Sequence, residues 1–332
     1  MENFDLLSIG DASIDTFMTP LESDTLCQID TKECFIAFSY GNKIPVKNLA
    51  FSIGGNAANN AVGAKRLGIN SAIVLTLGQD SVAEMIVARL KDEGVDPTYI
   101  IQQPGTTSNY STIINYSGER TIFVYHAPRS YEFPVKLPVV PWVYLTSMGE
   151  SFRPFYNHLV DWLKANPTIK LAFNPGSWQL RGEYKDIEPV MTLSYLISVN
   201  REEAEKLTKF GESAGKDRDL LIALNKLGPK ICIITDGNNG AFAYDSLNGK
   251  FAKVGTLPVD AYERTGAGDA FGSGCLSALI HGKSLEEAIL WGTINSSSVI
   301  GYTGSQKGLL KINEVDQWLA RAKSSGVVVQ SL

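Results

Sequence analysis

Short runs of aliphatic and β-branched residues at 6–9, 72–77, 142–148, 169–173, 193–199 and 231–235 alternate with longer segments whose apolar residues fall at helical spacing. Continuous apolar runs of this length suit strands buried on both faces. Their alternation with amphipathic segments predicts βαβ units, and so an α/β fold with a largely parallel sheet covered by helices on both sides. Two stretches break the rhythm. Residues 19–50 carry no helical pattern. Residues 110–114 pass through Asn115-Tyr116-Ser117-Gly118-Glu119 into 121–125 with polar and apolar positions alternating about a Ser-Gly turn, which is a hairpin pattern. Bare loops of such length are rare inside compact domains, so both stretches are predicted to form a small second sheet over the mouth of the main one. The expected division is an α/β core of residues 1–18, 51–105 and 130–332 and a β lid of residues 19–50 and 106–129. The proline-rich piece 128–141 is the extended connection back to the core.

A chain of 332 residues that is 44% hydrophobic and 20% charged can bury a sizeable core and is not a disordered chain. Its formal net charge is −5, and no block of Lys or Arg stands ready to neutralise a row of phosphates, so neither nucleic acid nor a membrane surface is an expected partner. The start, Met1-Glu2-Asn3-Phe4-Asp5, lacks the basic-then-apolar order of a signal peptide, and no apolar stretch reaches the length of about 18 residues that a spanning helix needs. The expectation is a cytoplasmic protein. Cys27, Cys34, Cys232 and Cys275 lack Cys-x-x-Cys spacing, and His126, His158 and His281 are the only imidazoles. A zinc site is not expected from these groups, which read as reduced, mostly buried thiols.

The segment Glu263-Arg264-Thr265-Gly266-Ala267-Gly268-Asp269 follows an extended run and opens an apolar helix. Gly266 and Gly268 let the backbone turn sharply, so that successive N–H groups converge at the helix N-terminus and form an anion hole. Asp269, in the first turn, stands where it can take a proton from a hydroxyl attacking a phosphate held there. It equally suits the dipole of any helix. The glycine spacing, Gly-x-Gly-x-x-x-Gly late in the chain, is a poor dinucleotide fingerprint. Earlier, Gly54-Gly55-Asn56-Ala57-Ala58-Asn59 leads into a helix closed by Gly68. Paired glycines permit close approach of a ligand, and Asn56 and Asn59 can aim amides, which both donate and accept, at polyol hydroxyls. The competing reading is an Asn-capped helix.

Gly54, Gly55, Ala57, Asn59, Ala61, Gly68 and Gly78, together with Gly266 to Asp269, fit the two signatures of the ribokinase-like (PfkB) carbohydrate kinases, and the resemblance extends over nearly the whole chain. It implies a three-layer α/β/α sandwich with a mostly parallel sheet and a small β-sheet lid. The implied activity is transfer of the γ-phosphoryl group of ATP, with Mg2+, to a hydroxymethyl group of a sugar or sugar derivative. A nucleoside kinase of the same family is the alternative. Asp269 is the implied base, with the N–H groups of Gly266, Ala267 and Gly268 holding developing charge. Asp15, five residues after Gly10, resembles the substrate-binding start, joined by Gly54, Gly55, Asn56 and Asn59. Glu150, after the 142–148 strand, either lines the same pocket or is a solvated loop carboxylate.

Asn200-Arg201-Glu202-Glu203 resembles the Asn-x-x-Glu motif that handles magnesium and phosphate, with Glu203 acting through water or phosphate, and it is also a capping box. Thr235, Gly237 and Gly240 resemble the turn beside the nucleotide, and Gly304-Ser305-Gln306 the segment that closes the nucleotide pocket. Two departures stand out. Glu263-Arg264 replaces the usual Asp-Thr, which puts dependence on a monovalent cation such as potassium in doubt and offers Arg264 as a charge for phosphate. Asn56 replaces the Lys of ribokinases proper, which weakens ribose as the default acceptor. An exposed lid edge suits pairing with a second copy.

Gly282-Lys283-Ser284 is a near miss to a P-loop, but Ser277 stands where Walker A needs Gly and Gly282 follows a helix. A serine hydrolase lacks its Gly-x-Ser-x-Gly elbow. A non-catalytic sugar or nucleotide sensor on the same fold remains the other class, disfavoured by the presence of Asp269.

Overall fold

The computed structural model describes residues 3–21, 24–27, 34–116 and 119–332. Its nine-stranded sheet runs, edge to edge, Lys250–Val254, Ala241–Asp245, Ile231–Thr235, Ser194–Asn200, Lys170–Phe173, Trp142–Leu145, Leu6–Gly10, Ser71–Gly78 and Asp96–Gln103. Every pairing is parallel except the last two at the Lys250 edge. Leu6–Gly10 and Ser71–Gly78 are buried at every position, as strands sandwiched between two helical layers must be. Leu7, Ile9, Val143 and Leu145 pack on one side with Phe155, Leu159, Leu220 and Leu224. Leu6 and Tyr144, one residue out of phase, pack on the other with Ala64, Phe271, Cys275 and Ile289. The period-2 geometry of a strand gives each neighbour to the opposite layer, which is why both phases of these runs are apolar.

The small sheet has the order Val46–Gly54, Ser13–Pro20, Asn109–Tyr116, Glu119–Tyr125, and a separate pair joins Asp24–Cys27 to Cys34–Ala37. The hairpin read at 110–125 is present with Tyr116 opposite Glu119; its Ser117-Gly118 turn lies outside the described residues. The small sheet also takes in Ser13–Pro20 and ends at Gly54, so it draws on residues that the sequence division gave to the core. Pairing of Ser13–Pro20 with Val46–Gly54 and Asn109–Tyr116 needs partners far along the chain, which no local pattern announces. Register places Asp15 opposite Ser52 and Ser111, and Ser111 opposite Val124, so one face of the sheet carries Asp15, Ser111, Ile113, Ile122 and Val124. The other presents Leu49, Phe51, Phe123 and Tyr125, each more than half exposed.

Residues 126–141 connect the two sheets without regular structure, as the prolines suggested. Arg129 fastens this connection from inside. Buried, it donates to the carbonyls of Thr76 and Thr107 and to Asn109 Oδ1, so one guanidinium ties a core strand, the small sheet and the connection together. Cys232 and Cys275 are free and buried, and burial pushes both thiols up. Among the described residues no helix is long and apolar enough to cross a membrane.

Candidate active site

The parallel strands deliver their C-terminal ends to one rim, where loops carry ligands in sheets of this kind. A cavity of ≈ 240 Å³ opens there between the two sheets, and Asp11, Asp15, Asn56, Asn59, Gly266 and Asp269 contribute to its wall. The double glycine makes the approach possible. A side chain at Gly54 would place Cβ 2.0 Å from Asp15 Oδ2, and one at Gly55, where φ is 91°, would meet Ala12 Cα at 2.5 Å. The helix Asn56–Arg66 starts at Asn56 with Gly55 in the cap position and no side-chain cap bond. The Asn-capped reading therefore fails, and Asn56 and Asn59 both line the cavity.

The helix Ala267–Ile280 begins on Gly266, left-handed at φ 78°, again with no side-chain cap. A Cβ at Gly266 would lie 2.3 Å from Ser305 Cβ, so glycine is required by both conformation and space. The first turn leaves N–H groups at Gly268 and Asp269 without intrahelical acceptors, at the positive end of the helix dipole. Gly266 and Asp269 face the first cavity, whereas Ala267 and Gly268 face a second one of ≈ 170 Å³ that also takes in Thr235, Gly237 and Gly240. One uncapped helix start thus stands between two cavities.

Asp269 Oδ2 accepts from Asn59 Nδ2 at 2.7 Å. Its carboxyl is pushed up to about 6, chiefly by burial; Asn59 and Asn56 favour the ionised form by hydrogen bonding, while Asp15 and Glu203 oppose it. Such a carboxylate is ionised at neutral pH yet basic enough to accept a proton in a transition state. Asp15 is also raised, by burial and by Glu263, against hydrogen bonds from Ser13 and Ser111.

Several expectations are corrected here. Asn59 Oδ1 accepts from Ser305 Oγ at 2.9 Å and Gln306 Nε2 at 3.1 Å, so the amide expected to hold substrate hydroxyls lines the cavity and also ties Asp269 to the 304–306 segment. That segment, expected to close the nucleotide pocket, sits elsewhere. Gly304 packs on Ser52 of the small sheet and donates to Glu263 Oε2 at 3.2 Å, and Ser305 lines the first cavity. Glu150 is exposed, outside both cavities, because the turn after Trp142–Leu145 points it outward. Ser147 lines the wall in its place. Asn200 and Glu203 form the capping box in full, at 2.8 and 2.9 Å. Neither lines a cavity, although Glu203 lies within electrostatic reach of Asp269. Arg264 is exposed and outside both linings. Among the described residues no cluster of three His, Cys, Asp or Glu could hold a metal by protein ligands alone.

Sequence reading missed Asp11, Thr256, Phe271, Thr293, Ser296 and Ser297, all cavity-lining. Asp11 directly follows Gly10 at the strand end, a position that would have flagged it. Thr293, Ser296 and Ser297 share one face of the helix Leu285–Val299 at i, i+3 and i+4.

The pfkB family carbohydrate kinase model matches residues 23–312. The chain is 26% identical over 326 residues to an ATP-dependent 6-phosphofructokinase of Thermoanaerobacterium thermosaccharolyticum, covering 95% of this chain and 93% of that one. In fold it is similar to a Methanocaldococcus jannaschii nucleoside kinase, with TM-score 0.77 and 19% identity over 97% of this chain and 100% of the other. The Arabidopsis thaliana ribokinase complexed with ribose and ATP gives TM-score 0.77 and 19% identity over 96% and 99%.

The geometry of Asn59 generates a test. Asn59→Ala removes a donor to Asp269 without emptying the cavity wall of its other polar groups, so turnover should fall by roughly 10- to 100-fold through misplacement of the base while the Michaelis constants change little. Losing that donation destabilises the carboxylate, so the acid limb of the rate profile should move above its wild-type position of about 6. A pH–rate profile with only a raised Michaelis constant would return Asn59 to substrate binding.

Proposed function

The chain belongs to the pfkB family of carbohydrate kinases, and on that premise we propose that it transfers the γ-phosphoryl group of ATP to a hydroxymethyl group of a sugar, sugar derivative or nucleoside. The observation that carries this reading is the uncapped start of Ala267–Ile280 between two cavities, with Asp269 on one side and Ala267 and Gly268 on the other. The acceptor occupies the cavity of Asp15 and Asp269, and the nucleotide occupies the cavity of Thr235, Gly237 and Gly240. ATP with Mg2+ supplies the transferable phosphoryl group and the divalent charge that neutralises it.

Asp269 takes the proton of the attacking hydroxyl, while the free N–H groups of Gly268 and Asp269 face the charge that develops on the phosphate. Asp15 accepts hydrogen bonds from further acceptor hydroxyls and fixes which one attacks. Asn56 steadies the ionised base from the neighbouring helix. The small sheet closes over the cavity and excludes water, which limits wasteful hydrolysis. Glu203 would hold Mg2+ only indirectly, through water or phosphate, since one of its carboxylate oxygens accepts from Asn200 N. The absence of a membrane-spanning helix among the described residues supports a cytoplasmic enzyme.

Glu263 bears on the monovalent cation. It is buried, and its Oε1 has no hydrogen-bond partner, an arrangement that costs free energy unless a cation or water satisfies it. This supports cation binding despite the replacement of Asp by Glu. The apolar outer face of the small sheet, with Leu49, Phe51, Phe123 and Tyr125, supports a homodimer through that sheet.

Asp269→Asn should lower turnover by roughly 10²- to 10⁴-fold and leave nucleotide binding intact. Wild-type kcat/KM should rise with pH through about 6 as Asp269 ionises. The sign for stability is opposite. The folded pKa is raised, so the native state holds the proton longer than the unfolded chain, and stability falls as pH climbs from 3.8 to about 6. The Asn variant should therefore melt later than wild type at pH 8, by ~1–2 kcal/mol, and not at pH 4. Normal turnover in a variant that melts earlier would assign Asp269 to helix stability and remove it as the base.

Activity in potassium should exceed that in a bulky organic cation at matched ionic strength, and Glu263→Gln should reduce the difference. Equal rates in both salts would leave Glu263 as a purely structural group. Sedimentation at micromolar concentration should give a dimer that Phe51→Glu dissociates, and a wild-type monomer would remove the pairing.

A further inference from the structure

Asp11 is a cavity carboxylate that phosphoryl transfer does not use. It follows the strand Leu6–Gly10 and is buried, yet it lines the same wall as Asp15 and Asp269. Tyr131 Oη donates to both of its oxygens, at 3.0 and 3.1 Å, and Gly149 N donates to Tyr131 Oη at 2.6 Å. The Asn109 side chain adds a further hydrogen bond. Three separate segments therefore fix this carboxylate in place. No cation on the cavity wall balances it. Arg129 stands behind, outside the lining, with its N–H groups directed at the carbonyls of Thr76, Thr107 and Ala127 and at Asn109 Oδ1. His126 does line the cavity, but burial first, and then Arg129 and Arg181, hold its imidazole below the ordinary range, so it is neutral at neutral pH.

Resting on the kinase reading above, we infer that Asp11 sets acceptor class: the part of the acceptor remote from the phosphorylated hydroxyl is uncharged and bears hydroxyls, and acceptors carrying a phosphate or carboxylate there are rejected. A fixed carboxylate accepts hydrogen bonds from neutral hydroxyls. An anion pressed against it in a cavity emptied of water meets like charge that solvent no longer screens.

Burial lifts the Asp11 carboxyl to about 6 against the influence of Arg129, Tyr131, Asn109 and Gly149. The groups around it are Asp15 on Ser13–Pro20, Asn109 on the next strand, His126, Arg129 and Tyr131 on the connection, and Tyr156 on the helix Arg153–Ala165. Rejection of anions therefore weakens as pH falls below about 6 and Asp11 takes up its proton.

The test compares kcat/KM for pentoses, hexoses and nucleosides with their phosphorylated or carboxylated counterparts, in wild type, Asp11→Asn and Tyr131→Phe. Wild type should prefer the neutral member of each pair by roughly 100-fold or more, and Asp11→Asn should narrow that ratio by about tenfold or more. Tyr131→Phe withdraws a hydrogen bond that favours the carboxylate, so the pH at which the ratio changes should move upward; this arm decides the matter if Asp11→Asn does not fold. A wild type that uses a sugar phosphate or sugar acid best overturns the inference, as does an unchanged ratio in folded Asp11→Asn. Failure to phosphorylate any acceptor of either charge overturns the kinase reading instead.

Discussion

The helix Ala267–Ile280 starts on a residue that can offer no side chain, because Gly266 is left-handed and pressed against Ser305. The N–H groups of Gly268 and Asp269 therefore find no capping side chain, at a helix start that lies between two cavities. A helix start without capping side chains is an anion site. The remaining features of the site follow from this. The glycines of the turn, the approach of the 304–306 segment and the placement of Asp269 in the first turn each serve to keep that N-terminus bare and aimed.

The second requirement is that Asp269 stay charged where burial disfavours charge. Asn59 supplies the direct hydrogen bond and Asn56 a further one, while Asp15 and Glu203 push the other way. The balance leaves the carboxyl near 6, so the acid–base character of the group is set by its neighbours. Asn59 performs this only because Ser305 and Gln306 hold its own carbonyl oxygen. A loop about 240 residues away in sequence thus orients the amide that holds Asp269. Three raised carboxyls in one wall, at Asp11, Asp15 and Asp269, mean that the cavity wall costs the fold electrostatic energy. This is the usual relation between an active site and the stability of the fold that carries it.

The two sheets divide the work. The large one buries its strands on both faces and has little freedom, so it sets the rim on which Gly10, Thr235 and the Gly266 turn stand. The small one is covered on one side alone, and its alternation gives polar and aliphatic residues to the cavity and aromatic residues to solvent. Arg129 joins them by donating to the Thr76 carbonyl on the large sheet and to Asn109 Oδ1 on the small one. A polar clasp of this kind holds the sheets at a fixed distance at the cavity's back wall without filling the cavity with apolar side chains.

Periodicity, turn residues and glycine spacing are local properties, and the features that depend on them were legible in the chain. These are the parallel sheet with helices on both faces, the 110–125 hairpin, the capping box at Asn200, the glycine turn before Asp269 and the identity of Asp269 as the candidate base. Contacts between distant segments are not encoded in any window of sequence. Ser13–Pro20 reads as an appendage of the first strand until Val46–Gly54 and Asn109–Tyr116 pair with it. Asn59 reads as a ligand for hydroxyls until Asp269, 210 residues later, takes its hydrogen bond. Glu150 and Gly304 read as pocket residues, and the path of the backbone turned one to solvent and the other toward Ser52. Asp11 carried no motif of its own and gained its meaning from Tyr131 and Asn109. The residue types that can perform phosphoryl transfer were set by sequence, whereas the partner that each of them meets was decided by tertiary packing, because hydrogen bonds and desolvation depend on neighbours in space.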